Sequence, residues 1–439
     1  MTKAHRMKVA IHTLGCKVNQ SESASIEGAL RNNNYEIVKH TDNPDVCIIN
    51  TCTVTAKSDY QSRQMIRKFA RSGAKVIATG CYAQLRPDEL SGIEGLALIV
   101  GNSEKERLIS YLEDLPDNGI CSHESGKCRI SVRAPAAPLS SQPYHSSRSR
   151  AFLKIQDGCN FSCSYCIVPL ARGKSRSLNP QDILSSVEKL SSDGYKEVVL
   201  TGIHIGSYGL RLQPKSSLLD IVKKITKTYP ELRIRLSSIE PREFDEEFLS
   251  LIKGRNVCPH LHIPLQSGSD SILKAMNRGY TTSYYEQLIN RIVTACPGIS
   301  IGTDVITGFP GETDKDFKET VKFIDRLPLS YLHVFPYSKR PDTKASSFSN
   351  QINDKLKKER VKILIEIGKS KKDDYLKESL GCILDVIVEK KPVTNEYYTA
   401  ISDNYLRVFV KSDNIASGDN IKARVISLTD AGLRAEPLK

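Results

Sequence analysis

The chain carries at residues 158–166 the sequence GCNFSCSYC, in which three cysteines are spaced by four and three residues. Cys159, Cys163 and Cys166 can converge on one metal centre, because thiolates bind both zinc and iron–sulfur clusters. Three cysteines leave one coordination position without a protein ligand, whereas structural zinc usually has four ligands. The spacing favours a [4Fe–4S] cluster with one open iron. The alternative is a zinc site completed by a histidine from another strand, His204, His260 or His262.

The cysteine motif follows the first of six predicted strands that alternate with helices. The strands are predicted at residues 151–155, 197–201, 233–237, 260–263, 299–306 and 331–335. Helices are predicted at residues 180–193, 217–228, 245–253, 283–295 and 313–327. Six βα units indicate a full or partial barrel, whose active site lies at the carboxyl ends of the strands. The motif therefore falls on the functional face.

A second set of cysteines lies in an α/β region that precedes the motif. Strands are predicted at residues 8–14, 45–50, 75–79 and 96–100, with helices at 21–33, 57–72 and 103–114. This alternation predicts a parallel sheet. Cys16, Cys52 and Cys81 each follow one of the first three strands, and the carboxyl ends of parallel strands share one edge. We expect these cysteines to meet there; the alternative is three unrelated buried thiols.

The remaining segments differ in composition. Residues 119–147 are rich in proline, serine and glycine and are typical of a linker, in which Cys121 and Cys128 are interpreted as incidental thiols. A charged helix is predicted at 354–379, leading out of the barrel. Short β-type runs at 383–389, 395–401, 405–411, 421–428 and 432–436 predict a five-stranded antiparallel barrel. Its exposed aromatic residues, such as Tyr405, are either base-stacking groups or, more commonly, core residues.

The predicted fold class is α/β, with an N-terminal parallel-sheet domain, a central partial (β/α)6 barrel and a small C-terminal antiparallel β-barrel. The expected boundaries are 7–118 for the N-terminal domain, 119–147 for the linker, 148–374 for the central domain and 375–439 for the C-terminal barrel.

Composition restricts the function further. The 439 residues include 12 cysteines and carry a formal charge of +13. No signal-peptide region or membrane-spanning run is present, which predicts a cytoplasmic protein with reduced thiols. Residues 129–180 contain eight basic residues and one acid, Asp157, a net charge of +7. This excess suggests a polyanionic partner around the motif, or else a solvated basic surface.

Residues 158–172, GCNFSCSYCIVPLAR, resemble the signature of radical S-adenosylmethionine (SAM) enzymes, and more narrowly that of their methylthiotransferase family. Further similar stretches cover essentially the whole chain. They are TLGCKVNQ (13–20), INTCTVT (49–55), ATGCYAQ (78–84), LTGIHIGSYG (200–209), LSSIEP (236–241), PLQSGSD (264–270), TDVITGFPGET (303–313) and HVFPYSKRP (333–341). The C-terminal barrel is similar to the TRAM domain of this family. Asp342 stands where the family pattern has glycine.

The resemblance implies two [4Fe–4S] clusters, one held by Cys159, Cys163 and Cys166 and one by Cys16, Cys52 and Cys81. In the family, the first cluster binds SAM and cleaves it to a 5′-deoxyadenosyl radical. The second carries the sulfur to be inserted, and another SAM supplies the methyl group. The similarity also points to a set of residues for the SAM pocket. These are Tyr165, Gly202, Glu240 and Gln266.

Within the family, the chain most resembles the branch that modifies N6-threonylcarbamoyladenosine (t6A) at position 37 of tRNA. The implied product is the 2-methylthio derivative. The implied partners are the tRNA anticodon loop and a reductant protein such as flavodoxin or ferredoxin, without a membrane. The alternatives are methylthiolation of isopentenyladenosine 37 or of a ribosomal-protein aspartate. A non-catalytic iron–sulfur electron carrier or RNA-binding regulator is the alternative from a different class.

Overall fold

The computed structural model describes residues 6–114, 128–134, 139, 149–390, 396–412 and 414–438. Cys121 lies outside these ranges, so its interpretation stays a prediction. Cys128 packs against the apolar core of the N-terminal domain. Within the described ranges, no helix combines the length and the apolar character needed to cross a bilayer.

The N-terminal part is a six-stranded sheet in which all neighbouring strands are parallel. Its strands are β1 (Lys8–Thr13), β2 (Glu36–Ile37), β3 (Val46–Thr51), β4 (Lys75–Gly80), β5 (Leu96–Val100) and β6 (Arg129–Ser131), in the order β2-β1-β3-β4-β5-β6. Its helices are α1 (Lys17–Asn32), α2 (Ala56–Arg71), α3 (Cys81–Leu85), α4 (Pro87–Ser91) and α5 (Leu108–Glu113). The parallel sheet is confirmed. Both β3 and β5 are buried along their whole length, as apolar runs in parallel sheets usually are.

Two strands of this sheet, β2 and β6, were not predicted, and each has only two or three residues. β6 lies inside the segment 119–147, which the sequence analysis interprets as a linker, and it pairs with β5 through Ile99 and Ile130. Three residues are too few to show a hydrophobic period, and the surrounding prolines and serines suggest a loop.

The central part is an incomplete barrel of six parallel strands. The strands of this part are β7 (Ala151–Lys154), β8 (Gln156–Asp157), β9 (Arg176–Ser177), β10 (Glu197–Thr201), β11 (Arg233–Leu236), β12 (His260–His262), β13 (Ser300–Thr307) and β14 (Tyr331–Pro336). β8 and β9 form a separate antiparallel pair, and the other six are the barrel strands. Its helices are α6 (Val168–Arg172), α7 (Pro180–Ser192), α8 (Leu218–Thr228), α9 (Glu246–Ile252), α10 (Asp270–Ala275), α11 (Thr282–Ala295) and α12 (Asp314–Arg326). All six predicted strands and all five predicted helices are confirmed, while the short helices α6 and α10 were not predicted.

The barrel strands form two sheets, β7-β10-β11 and β12-β13-β14. A parallel bridge between Ile234 and Val257 joins them, and the amide of Ile239 donates to the carbonyl oxygen of His262 over 2.9 Å. At the outer edge of β7, helix α1 of the N-terminal domain packs against β7, and the Ser21 hydroxyl donates to the carbonyl oxygen of Phe152 over 3.0 Å. The N-terminal domain therefore covers the first strand of the barrel.

The C-terminal part begins with the long helix α13 (Asp354–Glu378), which the sequence analysis placed on a path out of the barrel. Instead, the helix packs along β14: Leu364 is fully buried in the barrel core, and Gly368 lies against Leu332. A closed five-stranded barrel follows, as predicted, but only four of its five strand pairs are antiparallel, because the pair that contains Val408 and Leu433 is parallel. Its strands are β15 (Ile383–Lys390), β16 (Tyr397–Ser402), β17 (Arg407–Lys411), β18 (Asn420–Thr429) and β19 (Gly432–Pro437), in the order β15-β16-β17-β19-β18.

The small barrel docks on the central barrel through two arginines. Arg233 donates to the carbonyl oxygens of Asp385 and Ile401, and Arg235 donates to those of Ser402 and Asp403, at 2.9–3.2 Å. Both guanidinium groups also bind the carboxylate of Glu197, which is fully buried.

Tyr405 completes this contact, with its ring centroid 4.4 Å from that of His260. It is half-buried and packs against the central barrel. The sequence analysis left two roles open for Tyr405, a base-stacking group or a core residue. The structure supports the packing role.

Candidate active site

The loop that carries Cys159, Cys163 and Cys166 lies at the carboxyl end of the first barrel strand, as predicted. Gly158 adopts φ +74°, and a Cβ there would lie 2.3 Å from the carbonyl oxygen of Lys174, so only glycine fits. The Cys159 amide donates to the carbonyl oxygen of Gly173 over 3.1 Å, and Cys166 donates to that of Cys163 over 3.1 Å. These contacts turn the loop so that its three thiols lie close together.

The environment of these thiols suits a cationic centre. Burial, together with the neighbouring Cys163 and Cys159, raises the pKa of the Cys166 thiol to about 12. Burial also raises the pKa of Cys163. Three thiolates in such a place need positive charge to stabilise them, which a bound metal centre supplies. The residues therefore fit an iron–sulfur cluster.

Polar side chains surround the first cysteine set. Arg278 Nη1 donates to Cys163 Sγ over 3.3 Å, and its other terminal nitrogen contacts the carboxylate of Glu240. On the other side, His204 Nδ1 lies 3.9 Å from Cys159 Sγ, while its Nε2 contacts Glu243. The sequence analysis did not identify Arg278 or Glu243, because neither belongs to the stretches on which the resemblance rests.

The predicted SAM-pocket residues occupy different places. Tyr165 is close enough to Cys163 and Cys166 to be influenced by their charge, and Glu240 reaches the same site through Arg278. Gly202 packs against Gln156, whose Nε2 donates to the carbonyl oxygen of Gly158 over 2.7 Å.

Gln266 lies elsewhere, just beyond β12. It adopts φ +72° and bridges to β13 through backbone hydrogen bonds, at 2.8 Å from its amide to the carbonyl oxygen of Asp304. Its backbone therefore has a structural role, and the assignment of all four residues to SAM remains a prediction.

The second cysteine set also converges. Gly15 adopts φ +98°, and a Cβ there would lie 2.9 Å from Cys52 Sγ, so the Cys16 loop lies directly against Cys52. Burial raises the pKa of the Cys52 thiol to about 11, and the charges of Cys81 and Cys16 raise it as well. Burial likewise raises the pKa of Cys81. Three thiols on one sheet edge again form a donor set that suits a metal centre.

A buried guanidinium connects the two sets. Arg172, at the end of α6, is only 1% exposed and donates from Nε to Cys81 Sγ over 3.2 Å. Its Nη1 donates to Glu22 Oε1 over 2.8 Å and to Asp157 Oδ1 over 3.0 Å, and its Nη2 donates to Asn19 Oδ1 over 2.7 Å. The sequence analysis gave Asp157 no role and did not identify Glu22. Asp157 could have been recognised from the sequence, because it is the one acid within a basic stretch of 52 residues.

This network carries more positive than negative charge. Lys105 and Lys154 also contact Glu22, at 3.0 Å for Lys154, so three cations surround Glu22. Arg176 lies 3.5 Å from Asp157 and is a fourth cation on the two carboxylates. Burial alone would raise the pKa of Glu22, but the three cations outweigh it and hold that pKa well below its usual range. The cations outnumber the carboxylates, and the Arg172 guanidinium next to Cys81 stabilises a thiolate ligand.

The basic stretch therefore faces inward more than its composition suggests. The side chains of Arg150, Lys154 and Arg172 are only 15%, 12% and 1% exposed. By contrast, Arg129 and Arg133 are 50% and 72% exposed. Much of the predicted positive charge around the motif balances buried carboxylates and thiols.

The interior of the barrel contains a further polar group. His262 Nε2 and His333 Nδ1 lie 3.1 and 3.2 Å from Asp304 Oδ1, and one ligand atom from each residue falls within 4.8 Å of the other two. Asp304 and His333 are direct partners on β13 and β14. Tyr331 packs its ring against both histidines. Of these residues, only His262 was considered in advance, as a possible fourth ligand of a zinc site with the first cysteine set.

The backbone conformation of Asp342 explains why glycine is expected at this position. The residue adopts φ +71°, a conformation that glycine favours, and its carboxylate contacts Arg86 Nη2 at 2.5 Å. This ion pair links the central barrel to the N-terminal domain.

Comparison with known proteins assigns the chain to a family. The radical SAM superfamily matches residues 153–324, and Uncharacterized protein family UPF0004 matches residues 8–101. The threonylcarbamoyladenosine tRNA methylthiotransferase MtaB of Aquifex aeolicus is 40% identical over 92% of this chain and 98% of its own length. The relative of the same name from Bacillus subtilis is 36% identical over 95% of this chain and 93% of its own. The chain belongs to the radical SAM methylthiotransferase family.

Other similarities are weaker. A tRNA-2-methylthio-N(6)-dimethylallyladenosine synthase of Fusobacterium nucleatum is 32% identical over 87% of this chain and 88% of its own. Among solved structures, the radical SAM methyltransferase TsrM of Kitasatospora setae superposes with a TM-score of 0.55 at 17% identity, covering 75% of this chain and 73% of its own. This structural likeness confirms a shared fold.

Membership in the radical SAM methylthiotransferase family confirms the predicted enzyme class. The superfamily uses SAM together with a [4Fe–4S] cluster, and the loop with Cys159, Cys163 and Cys166 has the donor set for that cluster.

Proposed function

We propose that this protein methylthiolates C2 of t6A at position 37 of tRNA, giving 2-methylthio-N6-threonylcarbamoyladenosine. The observation that carries the proposal is the pair of three-cysteine sets, each at a carboxyl strand edge and joined by Arg172. The near-full-length relatives named as threonylcarbamoyladenosine tRNA methylthiotransferases support the choice of substrate.

The reaction replaces the C2–H bond of the adenine with a C2–S bond. One SAM accepts an electron and is cleaved to methionine and 5′-deoxyadenosine, which carries away the hydrogen of C2. The C2 radical and the sulfide-level sulfur form the C–S bond with the release of one electron, which the second cluster would accept. The methyl group comes from a second SAM, which becomes S-adenosylhomocysteine. When bound, the cluster at Cys159, Cys163 and Cys166 supplies the electron that cleaves SAM, and a second cluster at Cys16, Cys52 and Cys81 supplies the sulfur. A protein reductant such as flavodoxin or ferredoxin provides the electron. We propose the anticodon loop as the substrate and the cytoplasm as the place where the enzyme acts.

The side chains of this protein hold the two sites in place. Gln156 fixes the carbonyl oxygen of Gly158 and so shapes the first cysteine loop. Arg278 joins Cys163 to Glu240, which we propose as a SAM contact with Tyr165, Gly202 and Gln266. Arg172 fixes Cys81 relative to the central barrel, so that both cysteine sets belong to one rigid network.

Two measurements test the proposal separately. The protein reconstituted anaerobically with iron and sulfide, then given SAM and dithionite, should release 5′-deoxyadenosine. Nucleoside mass spectrometry of tRNA from a deletion strain should show t6A without its 2-methylthio derivative, which a plasmid copy restores. An intact iron–sulfur protein that releases no 5′-deoxyadenosine would contradict the chemistry. Retention of 2-methylthio-t6A in a deletion strain without a paralogue would contradict the substrate.

A further inference from the structure

Lys17 is a cation without a counter-ion in the barrel interior. It is the first residue of α1, the helix that packs against β7. Across the described ranges its ammonium group makes no hydrogen bond or ion pair, and its closest recorded contact is the ring of Tyr405, with Nζ 5.3 Å from the centroid. An ammonium group that is largely removed from water without a partner is costly, so the site suits an anion.

The carboxylates nearest to Lys17 are already occupied by other cations. Arg233 and Arg235 bind both oxygens of Glu197 at 2.6–2.9 Å. Arg150 lies 3.6 Å from Glu197 and 2.8 Å from Glu389. The protein therefore does not supply the negative charge that Lys17 lacks.

A further carboxylate near Lys17, that of Asp304, is held between two histidines. His262 and His333 contact its Oδ1, and His262 Nδ1 also lies 2.8 Å from the hydroxyl of Ser238. These contacts fix both rings, while 53% of the His333 side chain stays exposed and available to a ligand.

Strand β14, which carries His333, is aromatic near its carboxyl end. Tyr331, His333 and Phe335 alternate along β14 and so face one side of the strand. Tyr331 lies between the Tyr405 ring that contacts Lys17 and the His333 ring. Phe335 is 43% exposed and packs its ring against His333. The interior thus offers an aromatic surface for a base at one end and an unpaired cation at the other.

We infer that Lys17 and His333 bind the carboxylate of the N6-threonylcarbamoyl group, while Phe335 stacks on the adenine. This inference rests on the proposed function and adds the residues that select the substrate. A threonylcarbamoyl group carries a carboxylate, a hydroxyl and two N–H donors. A dimethylallyl group is apolar and would leave Lys17 without a partner, a penalty that excludes it.

The test compares the binding of three anticodon stem-loop RNAs of one sequence that carry t6A, isopentenyladenosine or unmodified adenosine at position 37. The wild-type protein should bind the t6A RNA at least about tenfold more tightly than the unmodified RNA, since a hydrogen bond to a charged group contributes about that much. In Lys17→Met and His333→Ala the ratio of the two Kd values should fall toward one. Lys315→Met, at a side chain 86% exposed on α12, should keep the wild-type ratio.

Each outcome has a separate meaning. A Lys17→Met protein with wild-type iron content that still prefers the t6A RNA overturns the inference. A wild-type protein that methylthiolates isopentenyladenosine RNA, but not t6A RNA, overturns the proposed function itself. A stoichiometric zinc or manganese ion that is lost in His333→Ala identifies the His262–Asp304–His333 group as a metal site and overturns the role of His333.

Discussion

Arg172 Nε donates a hydrogen bond to Cys81 Sγ over 3.2 Å, and this contact crosses from the central barrel to the N-terminal domain. The same guanidinium binds Asp157, which also accepts a hydrogen bond from the amide of Gly158 over 2.8 Å. Arg172 therefore contacts Cys81 directly and is linked through Asp157 and Gly158 to the loop that begins with Cys159. The two sites cannot move independently without breaking buried charged hydrogen bonds.

We expect Arg172→Gln to weaken both the fold and the second metal site. Removing one partner of a buried ion pair costs about 3–5 kcal/mol, because the remaining carboxylates of Glu22 and Asp157 lose a cation. Iron bound by Cys16, Cys52 and Cys81 should fall, since the thiolate of Cys81 loses its hydrogen bond. Urea unfolding and iron analysis measure the two effects.

Arg31→Gln is the matched control for this substitution. Arg31 is 48% exposed and pairs with Glu27 on the surface of α1, so its loss should change stability by at most about 0.5 kcal/mol. If Arg172→Gln unfolds at the same urea concentration as Arg31→Gln and keeps its iron, the buried network has no such role.

Replacing each cysteine set with alanine should separate the two proposed clusters. Each triple variant should lose about half of the iron if each set holds one [4Fe–4S] cluster. The variant without Cys16, Cys52 and Cys81 should still release 5′-deoxyadenosine, because the SAM site is intact, but it should not methylthiolate RNA. The variant without the other set should do neither.

Cys296→Ala is the control for the cysteine variants, because this half-buried thiol belongs to neither set. Its iron content and 5′-deoxyadenosine release should match those of the wild-type protein. Full iron content in the first triple variant would rule out a second cluster.

Gly202→Ala should disturb the SAM site through its neighbours. An added methyl group would lie 2.8 Å from both Gln156 Oε1 and Ile205 Cγ2. Gln156 cannot yield freely, because it holds the carbonyl oxygen of Gly158 and accepts a hydrogen bond from the amide of His204. We expect a loss of about 1–3 kcal/mol of stability and weaker SAM binding, measured by thermal unfolding and calorimetry.

Gly92→Ala is the control that separates crowding at Gly202 from a general effect of replacing glycine with alanine. A methyl group on Gly92 meets no atom within 4 Å, and its φ of −80° suits any residue. Gly92→Ala should therefore leave SAM binding unchanged. Equal SAM affinity in the two variants would show that Gly202 does not shape the pocket.

Much of the fold follows from local pattern. The strands and helices of all three parts have clear periods, and the convergence of Cys16, Cys52 and Cys81 follows because each comes after a parallel strand. The short strands β2 and β6 are missed, since two or three residues show no period. These successes depend on residues that are close in the chain or tied to a strand end.

The buried polar groups could not be predicted in the same way. Arg172 and Glu22 are 150 residues apart, and charged residues in a basic stretch are normally interpreted as surface. Tyr405 reaches the central barrel only because the two arginines of β11 bind the turn beside it. Contacts of this kind depend on how the domains dock, and the periodicity of the sequence does not predict docking.

Glu197→Gln should weaken the docking of the C-terminal barrel in a pH-dependent way. Burial alone would raise the pKa of Glu197, but Arg235 and Arg233 outweigh it and hold that pKa below its usual range. A carboxyl whose pKa is lower in the folded state stabilises the fold above its unfolded pKa of about 4.3, and this contribution is lost as the pH falls through the folded pKa. Glu197→Gln should therefore cost about 3 kcal/mol at pH 7, and the difference from wild type should shrink below about pH 4.

Urea unfolding of the metal-free protein, followed by circular dichroism at several pH values, measures this difference, and proteolytic release of the C-terminal barrel reports on docking. The control is Glu246→Gln, because Glu246 is 84% exposed and its pair with Arg291 is screened by water. A Glu197→Gln protein whose loss of stability is the same at pH 7 and at acid pH would show that the charge of Glu197 does not hold the two barrels together. The lost stability would then reflect packing, since glutamine keeps the shape of the side chain but accepts only one of the two arginines.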